Sequence, residues 1–154
     1  MIVPVRMNYR VFLILLLVVI SLVTPVLALG ESHYSYINLN KMTIELINDK
    51  MSLQVDYTLD TPIKVLIVLL GKNDLKSKLT KFVNYENATL KIVEFDHAVF
   101  VIDDAVTDYG DGAFWLPEHQ FSCSIPLLTI KTPQATLKYS DTHEVPKGVG
   151  YFKV

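Results

Sequence analysis

MTIELINDKMSLQVDYTL, residues 42–59, decides how the rest of the chain is read. Met42, Ile44 and Leu46 alternate with Thr43 and Glu45, and Leu53, Val55, Tyr57 and Leu59 alternate with Gln54, Asp56 and Thr58. A period of two places each apolar set on one face of a strand. Between the sets stand Asn48, Asp49 and Lys50, a turn-forming group. The stretch predicts an antiparallel hairpin with one buried face. Residues 31–40, ESHYSYINLN, lead into it without a clear period, as a linker or a first short strand.

Working outward from the hairpin, Asp60-Thr61-Pro62 predicts a turn, because Pro fixes its own backbone and pushes its predecessor out of the helical region. Residues 65–70, VLIVLL, are six consecutive apolar residues closed by Gly71. The run is short for a helix and rich in β-branched side chains, so it predicts a strand buried on both faces. From Asn73, a good N-cap, Leu75, Leu79, Phe82 and Val83 fall on one stripe at helical spacing, which predicts a helix over 74–84 lying on that strand. No other helix is expected after residue 30.

Further strands are expected at 88–95, 98–102, 113–116 and 120–125. Pro126, Pro133 and Pro146 delimit three more, at 127–131, 134–139 and 149–154, near a sheet edge where Pro is tolerated. The pattern predicts a mainly β fold: a two-layer antiparallel β-sandwich of about seven to nine strands with one amphipathic helix packed on a sheet.

Residues 11–29, VFLILLLVVISLVTPVLAL, follow Arg6 and Arg10 and precede the first acidic residue, Glu31. A basic start, an apolar run, a break at Thr24-Pro25 and small residues before Leu29 or Glu31 make a signal peptide. The same run is close to the ~20 residues that span a bilayer, so a retained N-terminal membrane anchor is the other reading. In either case the arginines hold the start in the cytoplasm and the body lies outside. The expected organisation is a targeting segment over 1–30 and one extracytoplasmic domain over 31–154. No cysteine follows the apolar run, which excludes a bacterial lipoprotein anchor, and the run is the only expected means of holding the domain at a membrane.

With both arginines in that segment, the body's cations are all lysines, and they are outnumbered by Asp plus Glu, of which the chain has 16. A mildly acidic body without guanidinium groups is poorly suited to nucleic acid. The single cysteine, Cys123, excludes an intrachain disulfide, so stability must come from the core. Absence of Arg from the body and one Cys point to a prokaryotic cell-surface protein.

No motif carries a specific chemistry, but several groups are candidates. Asp103, Asp104, Asp108 and Asp111, with Gly110 and Gly112, offer the hard oxygens that Ca2+ prefers, although their spacing is not that of an EF-hand. An acidic surface loop is the commoner role of such a stretch. His33, His97, His119 and His143 are scattered without zinc-site spacing, and only Asp141, His143 and Glu144 stand close enough in sequence to contribute to one. Ser122 and Ser140 lack the Gly-x-Ser-x-Gly elbow of a hydrolase. Tyr109 and Trp115 beside the acidic loop would line a ligand groove, the usual alternative being core packing. Cys123, between Phe121 and Ile125 on an apolar face, is expected to be a small inert hydrophobe. Asn87-Ala88-Thr89 is a glycosylation acceptor. The lysines of residues 72–81 would face anionic headgroups if the anchor is retained, or simply solvent.

The expected role is therefore a non-catalytic exported or membrane-tethered envelope domain that binds or scaffolds protein or glycan partners without a cofactor. The alternative is a calcium- or zinc-dependent protein or hydrolase built on residues 103–111 with a nearby histidine.

Overall fold

The computed structural model describes residues 36–153, and the expected signal or anchor at 1–30 lies outside them. Strands account for 56% of the described residues, which makes the domain mainly β, with two sheets and two helices. The hairpin forms as the alternation dictates. Strand β1 (Ile37–Ile47) pairs antiparallel with β2 (Lys50–Leu59), from Ile37 opposite Leu59 at the open end to Ile47 opposite Lys50 at the turn. Asn48 turns the chain in the left-handed region at φ 55°, a conformation asparagine tolerates. Asn40 is an extra residue where the register shifts between Leu39 and Lys41, and this bulge is why residues 37–40 show no clean period in the sequence.

Around the hairpin, β3 (Ala88–Val93), β4 (His97–Ile102), β7 (His119–Lys131) and β8 (Thr136–Val145) complete a six-stranded sheet in the order β3-β4-β2-β1-β7-β8. A smaller sheet holds β5 (Thr107–Asp108), β6 (Ala113–Leu116) and β9 (Val149–Phe152) in the order β5-β6-β9. The purely antiparallel arrangement expected from the sequence does not hold, because β1 and β7 pair parallel, Met42 opposite Leu128 and Ile44 opposite Ile130. Strand β7 reaches β1 only after the chain has passed through β2 to β6. A long connection of that kind is what a parallel neighbour requires.

Register carries one apolar face across the large sheet. Met42, Val55 and Ala98 align, as do Ile44, Leu53 and Phe100, and Leu46, Met51 and Ile102. All nine are at most 1% exposed. The opposite face carries Glu45, Gln54 and Thr58 in solvent. At the hairpin-turn end, Phe114, Leu116, Val149 and Tyr151 of the small sheet join the same buried cluster, and the Tyr151 hydroxyl donates to the Asn48 carbonyl.

Three sequence expectations need correction. Residues 65–70 are not a strand: they belong to helix α1 (Thr61–Leu70). The expected helix at 74–84 exists as α2 (Asn73–Val83), but it lies over the large sheet, touching β3 and β7, since the strand it was expected to cover is absent. The strands expected at 120–125 and 127–131 are one strand, β7, running through an exposed Pro126. Its inward side chains are Phe121 and Ile125 before the proline and Leu128 and Ile130 after it, so the face changes phase there. Two separate alternations in sequence thus correspond to one bent backbone.

Candidate functional site

Helix α1 is the unusual surface. Strand β2 is already flanked by β1 and β4, so the chain leaves Leu59 from the middle of the sheet. Pro62, in the first turn, presets a helical φ and lacks only an N–H that would be unpaired there anyway. Lys64 N–H donates to Asp60 O at 3.0 Å, and Gly71, at φ 89°, closes the helix by donating to Ile67 O at 2.8 Å. Asp-Thr-Pro before the run and Gly after it are the start and stop of a helix. That framing was the legible signal, and the apolar content of the run masked it.

Attachment to the core is narrow. Ile67 is buried and Ile63, one turn earlier, is half-buried against the core cluster. Val65, Leu66, Val68, Leu69 and Leu70 remain 54%, 49%, 71%, 73% and 80% exposed. Each forgoes on the order of 1 kcal/mol or more that burial would provide. Exposed apolar side chains grouped in this way are uncommon on soluble monomeric domains.

Its position is equally informative. Because Ile37 pairs with Leu59, the described chain begins at the same end of the sheet from which α1 departs, opposite to the hairpin turn and the small sheet. Tyr36 is fixed there, its hydroxyl donating to the Asp74 carboxylate and its ring lying 3.9 Å from Lys78 Nζ. Just past Gly71 is a cavity of about 330 Å³ lined by Lys72, Lys76, Lys91, Leu90 and Val93. Lys72 donates to Val93 O at 2.6 Å and meets Glu94 at 3.5 Å. Among the described residues, Lys76 and Lys91 form no ion pair.

The acidic stretch lies elsewhere, leading from β4 into the small sheet. Asp103, Asp104, Asp108 and Asp111 are exposed, and Asp108 Oδ1 accepts from Gly110 N–H at 2.8 Å, a bond that shapes the turn. Among the described residues no three His, Cys, Asp or Glu side chains gather as metal ligands. Tyr109 is 71% exposed beside them. Trp115 faces outward from the small sheet opposite Gly150, and its indole lies against Gly148, where an added Cβ would come within 2.5 Å of the ring. These glycines are the seat of the tryptophan.

His119 is a structural clamp. Its ring stacks on Tyr85 at 3.5 Å, meets Phe121 edge-on at 5.0 Å, and Nε2 lies 2.9 Å from Val83 O. A carbonyl accepts only, so Nε2 carries a proton. Burial lowers the imidazole's pKa, opposed by that hydrogen bond. Ser122 Oγ donates to Lys81 O at 2.8 Å and Asn84 Nδ2 to Gln120 O at 3.1 Å, so the same seam joins α2 to β7. His143, Ser140 and Asp141 are exposed on the edge strand β8. Cys123 is half-buried, and burial pushes its thiol up to about 11, which keeps it protonated and unreactive at neutral pH. Asn87 is exposed in the turn between α2 and β3, accessible to a modifying enzyme.

Comparison with protein-family models, curated proteins and solved structures gives no match. Among the described residues no helix is long and apolar enough to cross a membrane.

Proposed function

We propose that the chain is a non-catalytic extracytoplasmic domain, exported or tethered through residues 11–29, that binds or scaffolds components of a cell envelope. The small sheet then serves as the second layer of a sandwich over part of the large sheet's apolar face. One observation carries the functional reading: the exposed apolar side of α1 stands at the end of the domain where the N-terminal segment joins. A face with five outward Val and Leu side chains is a contact surface in search of an apolar partner. The cavity beside it is lined by lysines on open ground, without the convergent polar groups that orient a reacting substrate.

The experiment is to determine the N-terminus of the mature chain together with the fraction that contains it. An intact start in the membrane fraction, with protease reaching the body only from outside, establishes the tethered form. A start at Leu29 or Glu31 in the soluble exported fraction establishes the secreted form. Recovery of the uncleaved chain in the cytoplasm contradicts the proposal.

A further inference from the structure

We propose that α1 lies along the surface of the lipid bilayer, with Val65, Leu66, Val68, Leu69 and Leu70 at the boundary of headgroups and acyl chains and the adjoining lysine cavity receiving anionic headgroups. This rests on the tethered form of the function proposed above. Four observations converge on a bilayer as the occupant. The apolar side chains are outward on a helix of 10 residues. Such a helix is about 15 Å long, half the ~30 Å hydrocarbon core, so it can lie in the interface but cannot cross.

The second observation is reach. Only residues 30–35 separate the end of the apolar run from Tyr36. At about 3.3 to 3.6 Å per residue, that connection extends no further than about 25 Å. A retained anchor therefore keeps the domain close to the bilayer.

Direction is the third. Ile37 lies opposite Leu59, and α1 follows Leu59 directly, so the short connection and α1 share one end of the sheet. The domain end drawn toward the membrane is the end that carries the helix, while the hairpin turn and acidic loop stand at the other end.

Charge is the fourth. Lys72, Lys76 and Lys91 line the cavity that begins one residue beyond the helix cap. Glu94 engages Lys72, which leaves Lys76 and Lys91 as cations without an ion pair among the described residues. An apolar helix face bordered by ammonium groups complements a surface of anionic headgroups over acyl chains.

The test uses the full chain, one copy per lipid nanodisc, with an anionic lipid and a lipid that carries a quencher near the headgroup. An environment-sensitive fluorophore is attached in a Cys123→Ala background at Leu69→Cys or, as a control at the far end, at Lys50→Cys. The expected result is strong quenching at position 69 and little at position 50. Lys76→Gln and Lys91→Gln should each lower the docked-to-undocked ratio about fivefold, the factor equivalent to about 1 kcal/mol per lysine at an anionic surface.

Equal quenching at both positions, with the chain seated in the disc, overturns the docking while leaving the tether intact. Protection of position 69 that appears only with two copies per disc assigns the face to a second copy and also overturns it. Undiminished quenching in the two lysine variants overturns the headgroup role of the cavity. If the chain isolated from cells has lost residues 1–28 or 1–30, the tether itself fails, and this outcome is distinct from the others.

Discussion

The two helices are nearly equal in length, follow one another with only Gly71 and Lys72 between them, and treat their apolar residues in opposite ways. In α2, Leu75, Leu79, Phe82 and Val83 are at most 2% exposed, and lysines occupy the outer side. In α1 nearly every residue is apolar, only Ile67 is buried, and the outer side is Val and Leu. A helix held by one stripe needs polar residues elsewhere to be soluble, and α2 has them. Helix α1 exceeds what its attachment to the core requires. The surplus is not explained by the fold, and that is the reason to look for its partner outside the domain.

Truncation at a pair of chemically identical residues should separate the two helices most widely. Leu79→Ala, in α2, should cost about 2 to 5 kcal/mol in denaturant unfolding, because it leaves a cavity in a packed core. Leu69→Ala, in α1, should change stability by less than about 0.5 kcal/mol. Equal losses at the two positions would show that α1 is as buried as α2.

A smaller effect tests how α2 is fastened. Asn84 ends the helix in the left-handed region at φ 57° and gives its side-chain amide to Gln120 O. Asn84→Ala removes that bond and places a residue poorly suited to positive φ, for an expected loss of about 1 to 2 kcal/mol by the same unfolding measurement. Asn84→Gly, which keeps the backbone geometry, should recover part of it.

His119 gives a pH signature confined to the same seam. Its folded pKa lies below the ordinary value of 6.5, chiefly through burial. The unfolded chain therefore takes up a proton first as pH falls. Its contribution is fully present above about pH 6.5 and diminishes as pH falls from there through the folded pKa. Stability measured from pH 7.5 to pH 5 should decline, and His119→Gln should remove that part of the decline. An unchanged slope in the variant would show that the ring is not protected from protonation. The smallest expected effect is at the acidic loop: Ca2+ or Zn2+ should leave the melting temperature unchanged, and a rise abolished by Asp108→Ala and Asp111→Ala would revive the metal-dependent alternative.

Much of the large sheet was legible because alternation is a local signal. The hairpin, the stripe of α2 and the β3, β4 and β6 strands follow from side-chain spacing, and the turn residues stand where the spacing changes. What was illegible depended on neighbours distant in sequence. Residues 65–70 are apolar throughout, so their period cannot distinguish helix from strand, and the decision rests on Pro62, Gly71 and the interior place of β2 in its sheet. The parallel pairing of β1 with β7 and the continuity of β7 through Pro126 are set by where the chain returns. The clamp role of His119 likewise depends on Tyr85 and Val83, more than thirty residues away in sequence. The lysines were legible as a group near α2, but their meeting with Lys91 in one cavity required β3 to fold beneath the helix's start.

Docking of α1 on the bilayer is tested by hydroxyl-radical footprinting of the unmodified full chain in nanodiscs, with each side chain normalised to its intrinsic reactivity. Ile47, Tyr109 and Phe152, which are 63%, 71% and 63% exposed, report open solvent, and the buried Leu75 and Leu79 report protection. With α1 seated on lipid, Leu69 and Leu70 should react as slowly as Leu75 and Leu79, although the domain itself leaves them 73% and 80% exposed. Reaction of Leu69 and Leu70 at the rate of Phe152 would contradict the docking.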